Sequence, residues 1–169
     1  MRAHYRDRGS LRGEARIRLY RIGGGKVLPW YPHGPLLLEE DQTVGNLITD
    51  VGLGWIADQL AAVPALAAIS HMELGTDGTP PQGTNTTLGA AIAGSRLAIT
   101  NPVVRLANEI TWSTFWGAGV ATNPAVAEVA TFNALVAGDM IDRVSIGPFD
   151  KTALHVMLIE RTVTFVRSE

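Results

Sequence analysis

The sequence predicts a mainly β protein: a β-sandwich or barrel-like domain of about seven or eight strands, with one main helix and an extended N-terminal arm. Three observations predict it. Short apolar runs alternate with polar residues at a period of two. Gly and Pro, at 18 and 9 residues, punctuate those runs. Only the stretch 46–62 repeats apolar residues at helical spacing for several turns. Strands and helices do not alternate, which argues against a doubly wound nucleotide-binding fold. The 169-residue length suits one domain, expected over 15–169 behind an arm over 1–14.

Residues 1–14 show no hydrophobic period; Tyr5 and Leu11 are the only sizeable apolar groups among Arg, Gly and Ser. Such a segment orders only where a partner holds it. From Ala15 to Ile22 the chain alternates. Ile17 and Leu19 share one face with Arg21 in phase; Arg16, Arg18 and Tyr20 share the other. The triplet 23–25 is all glycine and reads as a turn, with 26–31 as the return strand of a hairpin. Pro29, Pro32 and Pro35 confine that strand to a sheet edge. In 46–62, Asn46 is the expected cap, and Leu47, Ile48, Val51, Trp55, Ile56 and Leu60 form the apolar stripe. Gly52 and Gly54 cost about 1 kcal/mol each in a helix and imply either close packing or a break in it. Beyond Ile69 the chain reads as strands over 69–74, 96–100, 103–116, 128–135, 140–146 and 152–166. The polar stretch 76–87 is a loop, and 88–94 one helical turn. In the last strand Met157, Ile159, Val163 and Phe165 face one way, and Leu158, Glu160, Thr162 and Thr164 the other.

Composition narrows the chemistry. No cysteine is present, which removes disulfides, thiolate metal sites and a cysteine nucleophile. The histidines, His4, His33, His71 and His155, are far apart and lack metal-ligand spacing. No Gly-x-Ser-x-Gly elbow occurs, and Gly25-Lys26 is followed by Val27, where a phosphate loop needs Ser or Thr. Glu73, Asp77, Glu109 and Glu128 offer paired carboxylates only in the sense that any chain this size does. The reading is therefore no catalysis, no metal and no cofactor. No apolar run reaches the roughly 18 residues of a membrane span, and a protein made in the cytoplasm is expected.

Charge is scarce, at 18% against roughly 25% in ordinary domains, and it is segregated. Residues 1–26 carry eight basic groups against Asp7 and Glu14, while the rest of the chain carries six against fourteen. A basic arm on an acidic body results. Arg2, Arg6, Arg8, Arg12, Arg16 and Arg18, with Tyr5 and Leu11, are the expected docking residues. Docking on an acidic protein surface is preferred to nucleic acid, because Tyr5 alone could stack on a base. Trp55 and Trp112 read as core. Trp30 and Tyr31, set between Pro29 and Pro32, read as an interface anchor or, equally, as an aromatic lid on the protein's own core.

The order of landmarks resembles that of small β-rich structural proteins in the virions of tailed bacteriophages. The pieces are Gly25-Lys26-Val27; Asn46-Leu47-Ile48-Thr49-Asp50-Val51-Gly52 with Trp55-Ile56-Ala57; Ile69-Ser70-His71-Met72-Glu73-Leu74-Gly75-Thr76; and Thr87-Leu88 before Arg96. Glu128 to Asn133, Gly138 to Arg143 and Pro148 to Lys151 follow, so the likeness spans roughly 22–166. Where the group has Glu-x-Gly-Leu-Phe, this chain has Glu128-Val129-Ala130-Thr131-Phe132. The resemblance implies a non-enzymatic capsid decoration (cement) protein, or a tail, baseplate or fibre component. It implies a homo-oligomer, trimeric by default, partnered by the major capsid protein or by tail ring subunits. It carries no catalytic residues, and the implied location is the virion.

Overall fold

The computed structural model describes residues 10–23, 36–61 and 67–166. The protein is mainly β, as the alternation predicts. Among the described residues nine strands and one helix follow in the order β1 (Ser10–Ile22), β2 (Leu36–Ile48), α1 (Asp50–Leu60), β3 (His71–Gly75), β4 (Leu97–Ala98), β5 (Thr100–Leu106), β6 (Glu109–Trp116), β7 (Asn123–Phe132), β8 (Met140–Lys151) and β9 (His155–Val166). They form one antiparallel sheet, ordered β4-β3-β7-β8-β2-β1-β9-β6-β5 and curled into a half-barrel.

The curl has a chain-level cause. β4 and β5 are the two ends of the sheet, yet only Ile99 separates them. β4 pairs with β3 and β5 with β6, so the stretch 97–106 reaches from one edge to the other. The Trp116 indole N–H reinforces this closure by donating to the Ser95 carbonyl at 2.7 Å. At the opposite corner β2 leaves β1 and its last residues, Leu47 and Ile48, pair with β8. Strands that change partners in this way let a twisted sheet enclose a core.

The enclosed face carries Ala15, Ile17 and Leu19 of β1, Met72 and Leu74 of β3, and Trp112 and Trp116 of β6. Val126 and Val129 of β7, Val144, Ile146 and Phe149 of β8, Met157, Ile159 and Val163 of β9, and Ile99 between β4 and β5 complete the cluster. Trp112 is in the core, as expected; Arg21 leaves the inward row and pairs outside with Glu39 at 2.7 Å. The strand paired with β1 is Leu36–Ile48, whereas the predicted return strand 26–31 lies outside the described residues.

Two boundaries differ from expectation. Residues 10–14, assigned to the arm, are the first part of β1, held by register from Ser10 opposite Val166 to Glu14 opposite Thr162. The helix starts at Asp50 rather than 46, with Thr49 as the cap: its hydroxyl accepts the Gly52 N–H at 3.0 Å. Asn46, Leu47 and Ile48 alternate as the end of β2, and Asn46 donates to Asp142 at 3.0 Å. The predicted helical turn over 88–94 is instead turns and a single bridge from Ala91 to Gly75. Gly52 explains itself, since a methyl there would overlap the Ile141 carbonyl across the α1–β8 contact.

Candidate docking surface

The outward face of β2, β1, β9 and β6 is built from the polar half of each alternation. Register sets Thr43, Arg16, Glu160 and Ser113 in one row, and Gly45, Glu14, Thr162 and Thr111 in the next. Between them lies an open cleft of about 430 Å3 lined by Glu14, Arg16, Thr43, Thr111, Glu160 and Thr162. The Thr111 and Thr162 hydroxyls bond each other at 2.8 Å.

This arrangement changes how two of the expected docking residues are read. Arg16 grips Asp41 with two bonds, Nε to Oδ1 at 2.9 Å and Nη2 to Oδ2 at 2.6 Å. That grip holds the Arg16 pKa above and the Asp41 pKa below the ordinary value. Arg18 pairs with Glu160 and lies 3.5 Å from the Tyr20 hydroxyl. Both guanidinium groups therefore present neutralised pairs to a partner, not free cations. Leu11 and Arg12 lie in β1 opposite Phe165 and Thr164. Arg2, Tyr5, Arg6, Arg8, Trp30 and Tyr31 lie outside the described residues. The structure thus brings Arg16 and Arg18 together on one face of β1, the strand that also carries Leu11 and Arg12.

Sequence reasoning missed a second polar constellation on the opposite half of the sheet. Glu128 of β7 and Arg143 of β8 bond at 2.8 Å with both side chains buried. Glu128 also accepts the amides of Asp77 (3.2 Å), Gly89 (3.1 Å) and Ala90 (2.8 Å). Arg143 reaches Asp77 at 3.1 Å and the Asn85 side chain at 3.0 Å. One buried ion pair therefore orders both ends of the long polar loop after β3. The Asp77 carboxylate is held below its usual pKa, first by the Thr79 N–H and hydroxyl and then by Arg143. Gly75 and Gly89 are required here: a side chain at either would collide with Glu128 or Asp77 respectively. The available signal was Glu128, the one charge in the mostly apolar strand β7, where an unpaired buried charge is not tolerated.

Three further polar anchors hold connections. Arg96 bonds Glu73 at 2.7 Å and lies 3.6 Å from the centre of the Phe132 ring. Burial, then the charge of Arg96, lowers the pKa of neighbouring His71. Arg161, on the inward face of β9, is buried against Asp142 at 2.7 Å. Lys151 is fully buried and donates to the carbonyls of Gly117, Val120 and His155 at 3.0, 2.6 and 3.3 Å. Burial lowers its pKa to about 8.

A small apolar cavity of about 70 Å3 lies under α1, among Trp55, Ile56, Trp112, Ile141 and Phe165, with Asp142 as its one charged wall. Among the described residues no three His, Asp or Glu side chains converge as metal ligands, and no helix is long and apolar enough to cross a membrane. Comparison with known proteins returns no matching family model, no similar curated protein and no similar solved structure.

Proposed function

We propose that this chain is a non-enzymatic structural subunit of a tailed-bacteriophage virion, a capsid decoration protein that docks on the shell through its arginine-rich N-terminal segment. One observation carries the docking part. Arg16, Arg18 and Arg21 are neutralised within the sheet by Asp41, Glu160 and Glu39. The other basic groups before residue 23 are Arg2, Arg6, Arg8 and Arg12, with Asp7 and Glu14 as the acidic groups of the same stretch. A basic segment ahead of a folded body suits docking on an acidic protein surface, where complementary charge sets register and on-rate. The ordered motifs that resemble virion proteins supply the particle context.

The test is the particle itself. Quantitative mass spectrometry on virions purified from the phage that encodes this chain should find on the order of hundreds of copies, as symmetric shell occupancy requires. A copy number matching one ring would instead favour a tail or baseplate subunit, the second reading drawn from the same resemblance. Absence from the particle overturns both. Removal of residues 1–9 should abolish binding to purified shells; full binding by the truncated chain would overturn the docking role. DNA retardation with a steep salt slope would favour nucleic-acid binding by the same arginines.

A further inference from the structure

The polar loop after β3 contains the one Asp-Gly pair in the chain, Asp77-Gly78, and the chain has no Asn-Gly pair. In an Asp-Gly pair the backbone nitrogen of the glycine can attack the carboxyl group before it. A bond forms between the Gly78 nitrogen and Asp77 Cγ, and the amide hydrogen leaves with the carboxyl hydroxyl as water. Water then opens the five-membered imide. Opening at the main-chain carbonyl of Asp77 leaves an isoaspartyl residue, with the backbone routed through the former side chain and no net change in atoms. Glycine favours the attack because it has no Cβ to crowd the nitrogen. The fold itself does not require glycine at 78: a methyl there would meet only the Ala127 Cβ, at 3.7 Å, an ordinary contact.

The closed loop holds both reacting groups. Thr79 donates its N–H to Asp77 Oδ1 at 2.9 Å and its hydroxyl to Oδ2 at 2.8 Å. Arg143, itself fixed by Glu128 at 2.8 Å, donates to the same Oδ2 at 3.1 Å. These donors favour the ionised carboxylate, which carries no hydroxyl to lose to an attacking amide. The backbone is held on either side of the reacting bond. Glu128 accepts the Asp77 N–H at 3.2 Å, and the Gly78 carbonyl accepts the Ser145 hydroxyl at 2.8 Å. Turning the Gly78 nitrogen onto Cγ requires giving up several of these bonds together.

We propose that Asp77 is a site of spontaneous isomerisation that the closed loop keeps shut, and that reaction in the open loop makes the opening irreversible. An isoaspartyl residue adds a carbon to the main chain and removes the carboxylate from the position that Thr79 and Arg143 grip. A loop that reacts while open therefore does not close again in the same form. Glu128 and Arg143 protect the loop chemically as well as ordering it. The inference concerns this loop alone and stands apart from the virion reading.

The test incubates the full chain at neutral pH, folded in buffer or unfolded in guanidinium chloride at the same temperature. Isoaspartate at residue 77 is followed by fragmentation mass spectrometry. The folded chain should react more slowly by about tenfold or more, the factor set by breaking one charge-assisted hydrogen bond. Thr79→Ala, at an exposed position, removes one donor; folded, it should react several-fold faster than the parent while unfolding at a similar denaturant midpoint. Gly78→Ala should slow the reaction sharply in the unfolded chain, which assigns it to attack by the nitrogen of residue 78. Equal rates in the folded and unfolded parent overturn the proposal. So does a Thr79→Ala rate no faster than the parent's, or isoaspartate that forms only at other residues.

Discussion

The two halves of the sheet use ion pairs in opposite ways. On the β2-β1-β9 half they lie outside: Arg16 and Asp41 keep side-chain exposures of 51% and 30%. On the β3-β7-β8 half they lie inside, with Arg143 at 3% and Glu128 at 0%. Water and salt already satisfy the first pair, so its formation changes little. The second pair has no solvent to return to, and it also anchors three loop amides. The comparison teaches that charge count says nothing about charge importance; enclosure does. The half poorer in charged side chains is the one whose order depends on them.

The largest test of that contrast is Glu128→Ala. It leaves buried Arg143 with only the partly exposed Asp77 carboxylate and leaves three amides without an acceptor, and should cost about 3–5 kcal/mol in denaturant unfolding. Protection of the Asp77, Gly89 and Ala90 amides from hydrogen exchange should fall with it. Adding Arg143→Met should restore only part of the loss, because the amides stay unpaired. A loss no greater than that of an exposed pair would break the distinction.

Lys151 sharpens it next. In the unfolded chain its pKa returns to 10.5, against about 8 when folded. Below pH 8 the ammonium is charged in both states and its burial penalty is fully present. Between pH 8 and 10.5 the folded state releases the proton first, so stability rises with pH; above that range the gain is complete. The rise should be on the order of 3 kcal/mol. Lys151→Met should lack this rise when unfolding is compared at pH 7 and pH 10. The comparison is tractable because Lys26 is the only other lysine.

Gly52→Ala tests close packing in place of charge. Helix propensity favours alanine by about 1 kcal/mol, but the added methyl meets the Ile141 carbonyl, which belongs to β8 and cannot swing aside. Overpacking should prevail, with a net loss of about 1–2 kcal/mol. A stabilised variant would show that α1 can shift on the sheet. The smallest effect belongs to Arg16→Ala. Its unfolding midpoint should barely move, and any difference should vanish in high salt.

How much of this was legible in the sequence depended on whether a signal was local. β1 and β9 were readable because alternation is a property of neighbouring residues: Ile17 and Leu19, and Met157 and Ile159, fall on the core face as the pattern requires. The start of the helix was not. Leu47 and Ile48 fit a helical stripe and a strand equally well over so short a run, and only the pairing of Leu47 with Arg143 and Ile48 with Asp142 decides for the strand. β2 was missed over 36–45 because Glu39, Glu40, Asp41 and Gln42 hide its alternation. Arg161 was passed over in β9 because its partner Asp142 lies on another strand, 19 positions away in sequence. In the candidate docking set, the residue types were legible but not their pairing: nothing near Arg16 in the sequence points to Asp41.

By itself the sequence determined the class of fold, the faces of the most regular strands, the polar loop and the segregation of basic from acidic residues. Each of these depends on composition or on short-range period. Only the tertiary structure decided that 97–106 joins the two ends of the sheet, and that three arginines of β1 are neutralised by their neighbours. It alone decided that Glu128 and Arg143 order a loop and that β5, at one end of the described sheet, pairs with β6. Those outcomes depend on which distant strands lie side by side, and pairing energy between strands is set by contacts that no local pattern records.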